Sequence, residues 1–451
     1  MRRLKLFLLY TFILSIVFGQ DKKSENFLTK LNLGAFKLRS VGPALTSGRV
    51  SDFAVHPDKR HEYYIATSSG GVWKTINGGA NYTPIFDQQG SYSIGCITMD
   101  PNNPYVIWVG TGENNNQRSV GYGDGIYRSK DGGKTWKHMG LKNSEHIAKI
   151  IVDPRNSNIV YVAAIGPLWS EGGDRGLYKS MDGGKTWESK IKVDEHTGVT
   201  DLIMDPNNPD VLYAATYQRR RHVFTWMSGG PGSGLYKSTD SGESWEQLKT
   251  GLPSSIIGRI GLAMSPADSD IVYAIVEAMD GQQGFYRTSN RGGSWKKMSN
   301  YVTSGNYYQE IVVDPKDVNT VYSLSTYNMV TRDGGKTFSR LGEKNKHVDN
   351  HVMWIDPDDT DYLLVGCDGG IYESFDRGKN WIYKENLPVT QFYKVTVDND
   401  LPFYNIYGGT QDNYSLGGPS RTKSQNGITN EDWFVTLGGD GFESAVDPEN
   451  P

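Results

Sequence analysis

The chain has 451 residues, of which 37% are hydrophobic, and it is rich in glycine (53 residues) and tyrosine (27 residues). This composition is typical of many short strands joined by tight turns. The formal net charge is -4, so there is no basic field to attract a polyanion, and nucleic acid is excluded as an expected partner.

The first residues have the pattern of a secretion signal. Basic side chains among the first five residues precede the apolar stretch 6–18, which is too short to span a membrane and ends beside Gly19. We therefore predict a signal peptide over residues 1–19 and a mature N-terminal segment over residues 20–33. The protein is expected to be exported to the periplasm, the cell surface or the medium. No later segment is apolar enough to span a membrane.

An eight-residue motif recurs along the chain, with Asp or Asn at its third position and an aromatic residue at its end. Its copies occupy residues 75–82, 129–136, 180–187, 238–245, 288–295, 331–338 and 374–381. They begin 43 to 58 residues apart, a period that fits one four-stranded propeller blade. The sequence thus predicts an all-β fold, a β-propeller of about seven or eight four-stranded blades whose hairpins are these Asp boxes.

The residues of each box have structural roles. The acidic or amide side chain can accept backbone N–H groups, the following glycines supply positive φ, and the aromatic residue opens the next strand. We therefore interpret Asp131, Asp182, Asp240, Asp333 and Asp376 as turn-formers. The Asp-Gly-Gly-Lys-Thr stretch resembles a phosphate loop, but such a loop needs a helix after it, and strands are predicted on both sides here.

The two ends of the chain depart from the repeat. Residues 36–42 resemble the strand that follows a box, so we expect an N-terminal strand that closes the ring. Residues 391–400 and 403–413 resemble the first strands of an eighth unit without a box. We predict a propeller over residues 34–437, and we expect residues 438–451 to be the truncated start of a further blade or of a second propeller in a longer protein.

Three long insertions, at residues 110–125, 165–176 and 216–234, all join a second strand to a third strand. They are therefore expected on the face opposite the Asp boxes. Aromatic, charged and amide side chains together are typical of a cleft for a polar ligand, although long loops commonly carry such residues in any case. The candidate ligand-binding residues are Glu113, Arg118, Tyr122, Asp124, Trp169, Glu171, Asp174, Arg219, Arg220, Arg221, His222 and Trp226.

A further polar cluster opens the predicted first strand of blade seven. Alternation along an extended chain would place His347, Asp349 and His351 on one side. Such a set could hold a metal or an acid/base pair, or it could line a water-filled channel. The sequence shows no fourth ligand, so the channel lining is favoured, and no metal is expected.

Several stretches are more specific than the boxes, namely GRVSDFAVHP, GTGENNNQRS, GPLWSEGGDRGLYKS and YQRRRH. Together with the boxes they resemble the sortilin/VPS10-type Asp-box (BNR-repeat) propellers, and above all the exported bacterial xyloglucanase-like group of glycosyl hydrolases. The likeness covers nearly all of the chain after the signal peptide. It implies a polysaccharide substrate and inverting hydrolysis by two carboxylates that face each other across a cleft between two propellers.

The likeness transfers the catalytic residues only in part. The family's base is an Asp in a T-D-x-G-G stretch, where this chain has Ser68, which cannot act as a base. The family's acid lies in a G-D-x-G-G-F stretch, which the residues around Asp440 match approximately. We therefore expect Asp440 to be catalytic, with Asp368 or Asp412 in place of the missing base.

Two functions are compatible with the sequence. One is a secreted glycosyl hydrolase, or a degenerate relative, that acts on or binds a polysaccharide at the face opposite the boxes. The alternative is a non-catalytic, sortilin-like propeller that binds protein or peptide partners. No cofactor is expected for either. A hydrolase needs two carboxyl groups roughly 6.5–9.5 Å apart, or about 5–5.5 Å in a retaining enzyme, in an aromatic-lined cleft.

Overall fold

The computed structural model describes residues 36–43 and 45–450. The signal peptide predicted over residues 1–19 and the segment 20–33 lie outside the described residues. From Val41 onward the chain forms one compact unit, whose described residues form antiparallel strands and two single-turn 3-10 helices, Lys142–Ser144 and Asn430–Asp432. Neither these nor any other helix in the described ranges is long and apolar enough to cross a membrane.

In the part of the chain that the structure describes, eight antiparallel sheets follow one another, and in each the strands pair in chain order. Sheets one to four consist of β1 (Val50–His56), β2 (Lys59–Thr67), β3 (Val72–Thr75) and β4 (Thr83–Pro84); β5 (Ile94–Asp100), β6 (Asn103–Thr111), β7 (Ile126–Ser129) and β8 (Lys137–His138); β9 (Ile147–Val152), β10 (Val160–Ala164), β11 (Gly176–Ser180) and β12 (Glu188–Ile191); and β13 (Thr197–Met204), β14 (Leu212–Arg221), β15 (Trp226–Ser228), β16 (Gly234–Ser238) and β17 (Glu246–Leu248). Here β15 is an extra strand that pairs only with β14.

Sheets five to eight consist of β18 (Ile257–Met264), β19 (Val272–Ala278), β20 (Gly284–Thr288) and β21 (Lys296–Ser299); β22 (Ile311–Val313), β23 (Val321–Ser323), β24 (Met329–Thr331) and β25 (Ser339–Arg340); β26 (Asn350–Ile355), β27 (Leu363–Cys367), β28 (Gly370–Ser374) and β29 (Ile382–Lys384); and β30 (Phe392–Val397), β31 (Asn405–Thr410), β32 (Ser415–Pro419) and β33 (Phe434–Leu437).

The Asp boxes join the third strand to the fourth in sheets one to seven, as the box at 129–136 shows. The Asp131 carboxylate accepts a hydrogen bond from the backbone N–H of Thr135 at 2.8 Å. Hydrogen bonds, above all that from the Thr135 hydroxyl, lower the pKa of Asp131 to about 2. In the next box, Nε1 of Trp187 donates to the Met139 carbonyl of the preceding sheet at 2.6 Å. The interpretation of the box carboxylates as turn-formers is confirmed.

Apolar packing between consecutive sheets closes a ring. Within the described residues, seven buried apolar clusters each join two neighbouring sheets, from sheets one and two to sheets six and seven. The last of them packs Val50 and Ile65 of sheet one against Leu364 and Ile371 of sheet seven, where β1 lies beside β26. Sheets one to seven therefore form a closed ring in which neither end sheet exposes a free face.

The expected N-terminal closing strand is not formed. Residues 36–43 have no strand, and the side chains of Phe36 and Leu38 are exposed. Sheet seven already has a fourth strand, β29, which pairs with β28. Because that edge is occupied by the chain's own continuation, the ring closes by side-chain packing instead of by a returning strand.

Sheet eight lies outside the ring, since the seven apolar clusters of the described residues include none of its side chains. Val395, Phe434 and Leu437 are each at least half exposed. The sheet is attached through its ends: Nε1 of Trp433, for example, donates to the Val41 carbonyl at 2.9 Å. The described residues after it, 438–450, form no strand.

In the ring, the connections from second to third strand emerge opposite the Asp boxes, because antiparallel strands reverse direction at each turn. We call this side the insertion face, after the insertions at 112–125 and 165–175 that it carries. The start of each first strand lies on the same face. This arrangement brings residues far apart in sequence to one rim of the ring.

Candidate functional site

A buried ion pair lies on the insertion face at the junction of sheets one and seven. Arg49 immediately precedes β1, and Asp368 follows β27. Nε of Arg49 donates to Oδ1 of Asp368 at 2.6 Å, and Nη2 donates to Oδ2 at 2.8 Å. Burial alone would raise the pKa of Asp368, but Arg49 and His351 outweigh it and hold the pKa well below its usual range. Asp368 is therefore an ionised carboxylate with both oxygens occupied.

Asp412 and Asp440 join this pair from the side of sheet eight. The backbone N–H of Asp412 donates to Oδ1 of Asp440 at 2.9 Å. Burial, followed by the hydrogen bond and charge of Asp368, raises the pKa of Asp412 to about 7, whereas the side chain of Asp440 is exposed. The structure thus brings together all three carboxyl groups that the sequence singled out as catalytic candidates.

Glu113, from the insertion of sheet two, completes the surroundings of Arg49. Nη1 of Arg49 donates to Oε2 of Glu113 at 3.2 Å, and Nδ2 of Asn115 donates to the same oxygen at 2.8 Å. The backbone N–H of Gly121 donates to Oε1 at 3.2 Å. With 2% of its surface exposed, Glu113 supports Arg49 from within and does not face a ligand directly.

The same insertion crosses the mouth of the central channel. The backbone N–H of Asn116 donates to the Asn306 carbonyl, beyond sheet five, at 2.8 Å. From sheet four, Nη1 of Arg219 donates to the Asn115 carbonyl at 2.9 Å, and Nε of Arg221 donates to the Asn116 carbonyl at 2.7 Å. Burial lowers the pKa of Arg219 to about 9. These arginines anchor the loop, so Arg219, which is fully buried, offers no surface to a ligand.

His347, Asp349 and His351 do not share one side of a strand. Because β26 begins only after Asp349, whose φ is +62°, the alternation expected of an extended chain fails here. Nε2 of His351 lies 2.7 Å from Oδ1 of Asp368, and since an ionised carboxylate only accepts, the imidazole N–H donates. Asp349 instead accepts from the Tyr308 hydroxyl, and Nδ1 of His347 lies 2.8 Å from a neighbouring carbonyl oxygen.

No group of three or more His, Cys, Asp or Glu side chains within residues 36–43 and 45–450 is arranged to hold a metal ion. A polar cavity of about 260 Å³ occupies the channel, lined in part by Asp52, Lys149, Asp201, Glu310 and His351. Asp52 and Asp201 each accept a backbone N–H from the next sheet, at 3.0 Å and 2.7 Å. These carboxylates therefore connect neighbouring sheets. His351 lines the channel, which was one of the two roles that the sequence left open for the His347–His351 cluster.

A second cavity, of about 430 Å³, opens beside the carboxyl groups between the ring and sheet eight. Its lining includes Ser69, Tyr92, Ser119, Thr390, Gln391 and Tyr393. Burial, followed by the charges of Asp440 and Asp412, raises the pKa of Tyr393. The Tyr393 side chain therefore lies between the cavity and the carboxyl groups. The lining combines aromatic faces with hydroxyl and amide groups and carries no charged side chain; we call it the neutral cavity.

The insertion of sheet four is partly regular structure. Over 216–234 the sequence suggested a long loop, but β14 continues to Arg221 and pairs with β15 as a hairpin. Arg220 forms an ion pair with Glu171 at 2.9 Å. Arg221 lies over the Trp226 ring, with its guanidinium carbon 4.4 Å from the ring centroid. His222 stacks on a neighbouring phenylalanine at 5.7 Å between centroids.

The other candidates lie farther from the carboxyl groups. Tyr122, Asp124 and Glu171 line a third cavity, of about 660 Å³. Asp124 accepts a hydrogen bond from the Tyr127 hydroxyl at 2.6 Å. Asp174 accepts from the backbone N–H of Asn143 at 3.0 Å, whereas Arg118 is exposed and Trp169 is half-buried. Of the candidates, Tyr122, Asp124 and Glu171 thus belong to a cavity that is separate from the Arg49–Asp368 pair.

Sequence reasoning missed several residues of the site. Arg49 lies in the GRVSDFAVHP stretch used for the resemblance, but a lone arginine before a strand gives no signal of a partner 319 positions away. Tyr393 stands in a strand-like run, where an aromatic residue usually belongs to a core. Asn413 follows the candidate Asp412 directly, and only the structure shows its contacts with the ring.

Comparison of the sequence with known proteins finds similarity to a sortilin family model and to xyloglucanases. The family model Sortilin-Vps10, described as sortilin, neurotensin receptor 3, matches residues 124–233. A xyloglucanase of Hypocrea jecorina is 25% identical over 307 residues, which cover 61% of this chain and 35% of that protein. A xyloglucanase of Paenibacillus sp is 22% identical over 429 residues, which cover 79% of this chain and 40% of that protein. The chain therefore spans about two fifths or less of the length of these curated relatives.

Solved structures show the same fold. The GH74 xyloglucanase from Xanthomonas campestris superposes with a TM-score of 0.61 at 15% identity, over 83% of this chain and 59% of that one. An ancestral GH74 enzyme gives a TM-score of 0.60 at 18% identity, over 84% of this chain and 54% of that one. YCF48 bound to a peptide gives 0.50 at 13% identity, over 73% of this chain and 94% of that one. Sequence and fold together show an Asp-box β-propeller that is similar to those of xyloglucanases.

Proposed function

We propose that this chain binds a polysaccharide on the insertion face and hydrolyses it, with Asp412 as the acid and Asp440 as the base. The convergence of these two carboxyl groups beside the buried Arg49–Asp368 pair carries the proposal. A pKa of about 7 keeps a large fraction of Asp412 protonated at neutral pH, so it can give a proton to the leaving oxygen. Asp440 is exposed and can accept a proton from the attacking water.

This assignment departs from the one implied by the resemblance, in which Asp440 is the acid. The change follows from the surroundings of the three carboxyl groups. Asp368 repels a second negative charge, and Asp412 is the group held against it. Asp368 itself is tied to Arg49 and His351, which suits it to orient and polarise its neighbour. Ser68, at the family's base position, donates its backbone N–H to the Arg49 carbonyl at 3.0 Å.

The neutral cavity suits the sugar unit next to the bond that is cleaved. Its volume of about 430 Å³ falls within the usual range of ligand pockets, about 300–1,000 Å³. Tyr92 and Tyr393 offer faces for stacking on a pyranose ring, and Thr390 and Gln391 offer partners for sugar hydroxyls. The absence of charge in this lining favours neutral sugars. With the predicted signal peptide, these features support an exported protein that meets its polysaccharide outside the cytoplasm.

Non-catalytic binding of a protein or peptide is the second candidate. One observation favours it: Asp368, one of the two residues considered in place of the family's base, has both oxygens engaged by Arg49 and His351. The Sortilin-Vps10 match over 124–233 and the fold shared with peptide-bound YCF48 are compatible with this role. On this alternative, the insertion face binds a partner and no bond is broken.

The two candidates separate in a hydrolysis assay on the full chain. We would incubate the protein with a panel of neutral and acidic polysaccharides and measure released reducing ends, and identify the first anomer of the product by NMR. Asp412→Asn and Asp440→Asn should each lower the rate about 10²–10⁴-fold, the usual contribution of an acid or base. The matched control is Asp182→Asn, in an Asp box on the opposite face, because two other boxes carry Asn77 and Asn290 at this position.

The expected result is loss of hydrolysis in both site variants and full activity in the control. A rate in Asp412→Asn equal to that of the native chain would remove Asp412 from the mechanism. Absence of hydrolysis on the whole panel, with peptide binding that is lost after substitutions on the insertion face, would establish the alternative instead.

A further inference from the structure

The turn that carries Asp412 has an unusual backbone. Asp412 and Tyr414 both have positive φ, at +60° and +76°, a conformation that L-residues other than Asn and Asp seldom adopt. Two such residues so close together persist only where the surroundings fix the turn. Such strain is commonly found where a side chain is held for a purpose, and the Asp412 carboxyl is the group that this turn presents to Asp368.

Bonds within the sheet-eight region define the shape of the turn. The backbone N–H of Thr410 donates to the Tyr414 carbonyl at 2.9 Å, and that of Tyr414 donates to the Gly439 carbonyl at 2.8 Å. The Asp412 N–H donates to Asp440 at 2.9 Å. All of these partners belong to β31, to the turn that follows it or to the segment after β33. They hold the turn together, but they do not fix it relative to Asp368, which belongs to the ring.

Asn413 makes the connection to the ring. Its Nδ2 donates to the Asp368 carbonyl at 3.0 Å and to the Gln411 carbonyl at 2.9 Å, and lies 3.4 Å from the Ser47 carbonyl. Three carbonyl oxygens around one atom determine the orientation of the amide, because the reverse orientation would oppose oxygen to oxygen. The side chain is 4% exposed, so water does not compete strongly for these bonds.

We propose that Asn413 is a positioning residue that holds the Asp412 carboxyl against Asp368 across the junction between the ring and sheet eight. This inference rests on the proposed function only where it says why the Asp412 carboxyl is held there. The position of the carboxyl itself can be measured without any substrate. Asn413 bonds to the backbone of the very residue whose carboxylate repels Asp412. Without its side chain, the Asp412 turn keeps its internal bonds but loses this fixed distance from the ring.

The titration of Asp412 reports that distance directly. We would label the full chain with aspartate carrying ¹³C in the side-chain carboxyl and follow its carbon spectrum between pH 3 and 9. In the native chain, one carboxyl signal with a midpoint near 7 should be missing from the Asp412→Asn spectrum, which assigns it. In Asn413→Ala we expect this midpoint to fall by at least one pH unit toward the ordinary value of about 3.9. Asn426→Ala, at an exposed position in the connection before β33, should leave it unchanged.

A role limited to stability would give a different result. Asn413→Ala would then lower the thermal midpoint while the Asp412 signal continued to titrate near 7, and this outcome overturns the proposal. If the alanine variant does not fold, Asn413→Ser keeps a small polar side chain without the amide, and the same two outcomes apply to it. If no signal near 7 is lost in Asp412→Asn, the placement of Asp412 is wrong. If the Asp412 signal titrates near 7 in the native chain and its midpoint falls in Asn413→Ala, but the native chain cleaves no polysaccharide, only the hydrolase proposal is rejected.

Discussion

Replacing Arg49 with methionine should destabilise the ring strongly, because the change leaves a buried carboxylate without its cation. Arg49 and Asp368 have side chains only 4% and 5% exposed, and three charge-assisted hydrogen bonds are lost, two to Asp368 and one to Glu113. Removing one partner of a buried pair typically costs about 3–5 kcal/mol. His351 and Asn115 retain their bonds to these carboxylates, so we expect a loss within that range and not above it.

Urea unfolding followed by fluorescence and circular dichroism would measure this loss as a change in the free energy of unfolding. The matched control is Arg377→Met. Arg377 bonds to Asp361 at the same 2.6 Å, but the two side chains are 50% and 58% exposed, so its loss should cost about 1 kcal/mol or less. Equal effects of the two substitutions would refute the reasoning, because burial would then not determine the strength of the pair.

The pH dependence gives a second check on the same substitution. The folded-state pKa of Asp368 is depressed, so the pair's stabilisation is present above the unfolded pKa, about 3.9, and is lost as pH falls through the folded pKa. The difference in unfolding free energy between the native chain and Arg49→Met should therefore be large at pH 7 and shrink in acid. A difference that stays constant down to pH 3 would show that lost packing, and not lost charge pairing, causes the effect.

Two further predictions concern the channel and the boxes. Burial and the charge of Glu310 raise the folded pKa of Asp201 to about 6, so its contribution to stability is present below the unfolded pKa and is lost as pH rises through 6. Asp201→Asn should thus gain stability relative to the native chain between pH 4 and pH 8 in thermal unfolding; a constant offset would contradict this. Trp187→Ala removes the bond to the Met139 carbonyl and the edge contact with Trp108, 6.4 Å between centroids, and should cost about 3 kcal/mol in urea unfolding. A cost below 1 kcal/mol would show that box tryptophans do not link neighbouring sheets.

The blades could be predicted because the information for each hairpin is local. In the box at 129–136, the turn-forming Asp131 and its partner Thr135 lie four positions apart, and the same pattern recurs in each copy. The face of the site was also predictable, since the order of strands in a blade places every second-to-third connection opposite the boxes. The absence of a closing strand at residues 36–42 was not predictable. Their sequence fits an outer strand, but β29 already occupies that edge of sheet seven.

The composition of the site was only partly readable. Asp368, Asp412 and Asp440 could be singled out by their motifs, but the sequence did not show which would be paired and which would be protonated. That depends on Arg49, whose partner lies 319 positions away. The prediction that His347, Asp349 and His351 share one side of a strand was wrong for a different reason. Its alternation required an extended chain, and the positive φ of Asp349 sends the three side chains to different partners.

The position of the site at the edge of the ring follows from how carboxylates are held inside it. Within the channel, Asp52 and Asp201 bind backbone N–H groups of the next sheet, and Arg49 engages both oxygens of Asp368. A carboxyl group that arrives from sheet eight therefore meets a carboxylate whose cation is already engaged. Repulsion and burial then favour its protonated form, which is the state that a proton donor needs at neutral pH. Sheet eight can supply such a group because it is not one of the ring's own sheets and Asp412 takes no part in holding the ring together.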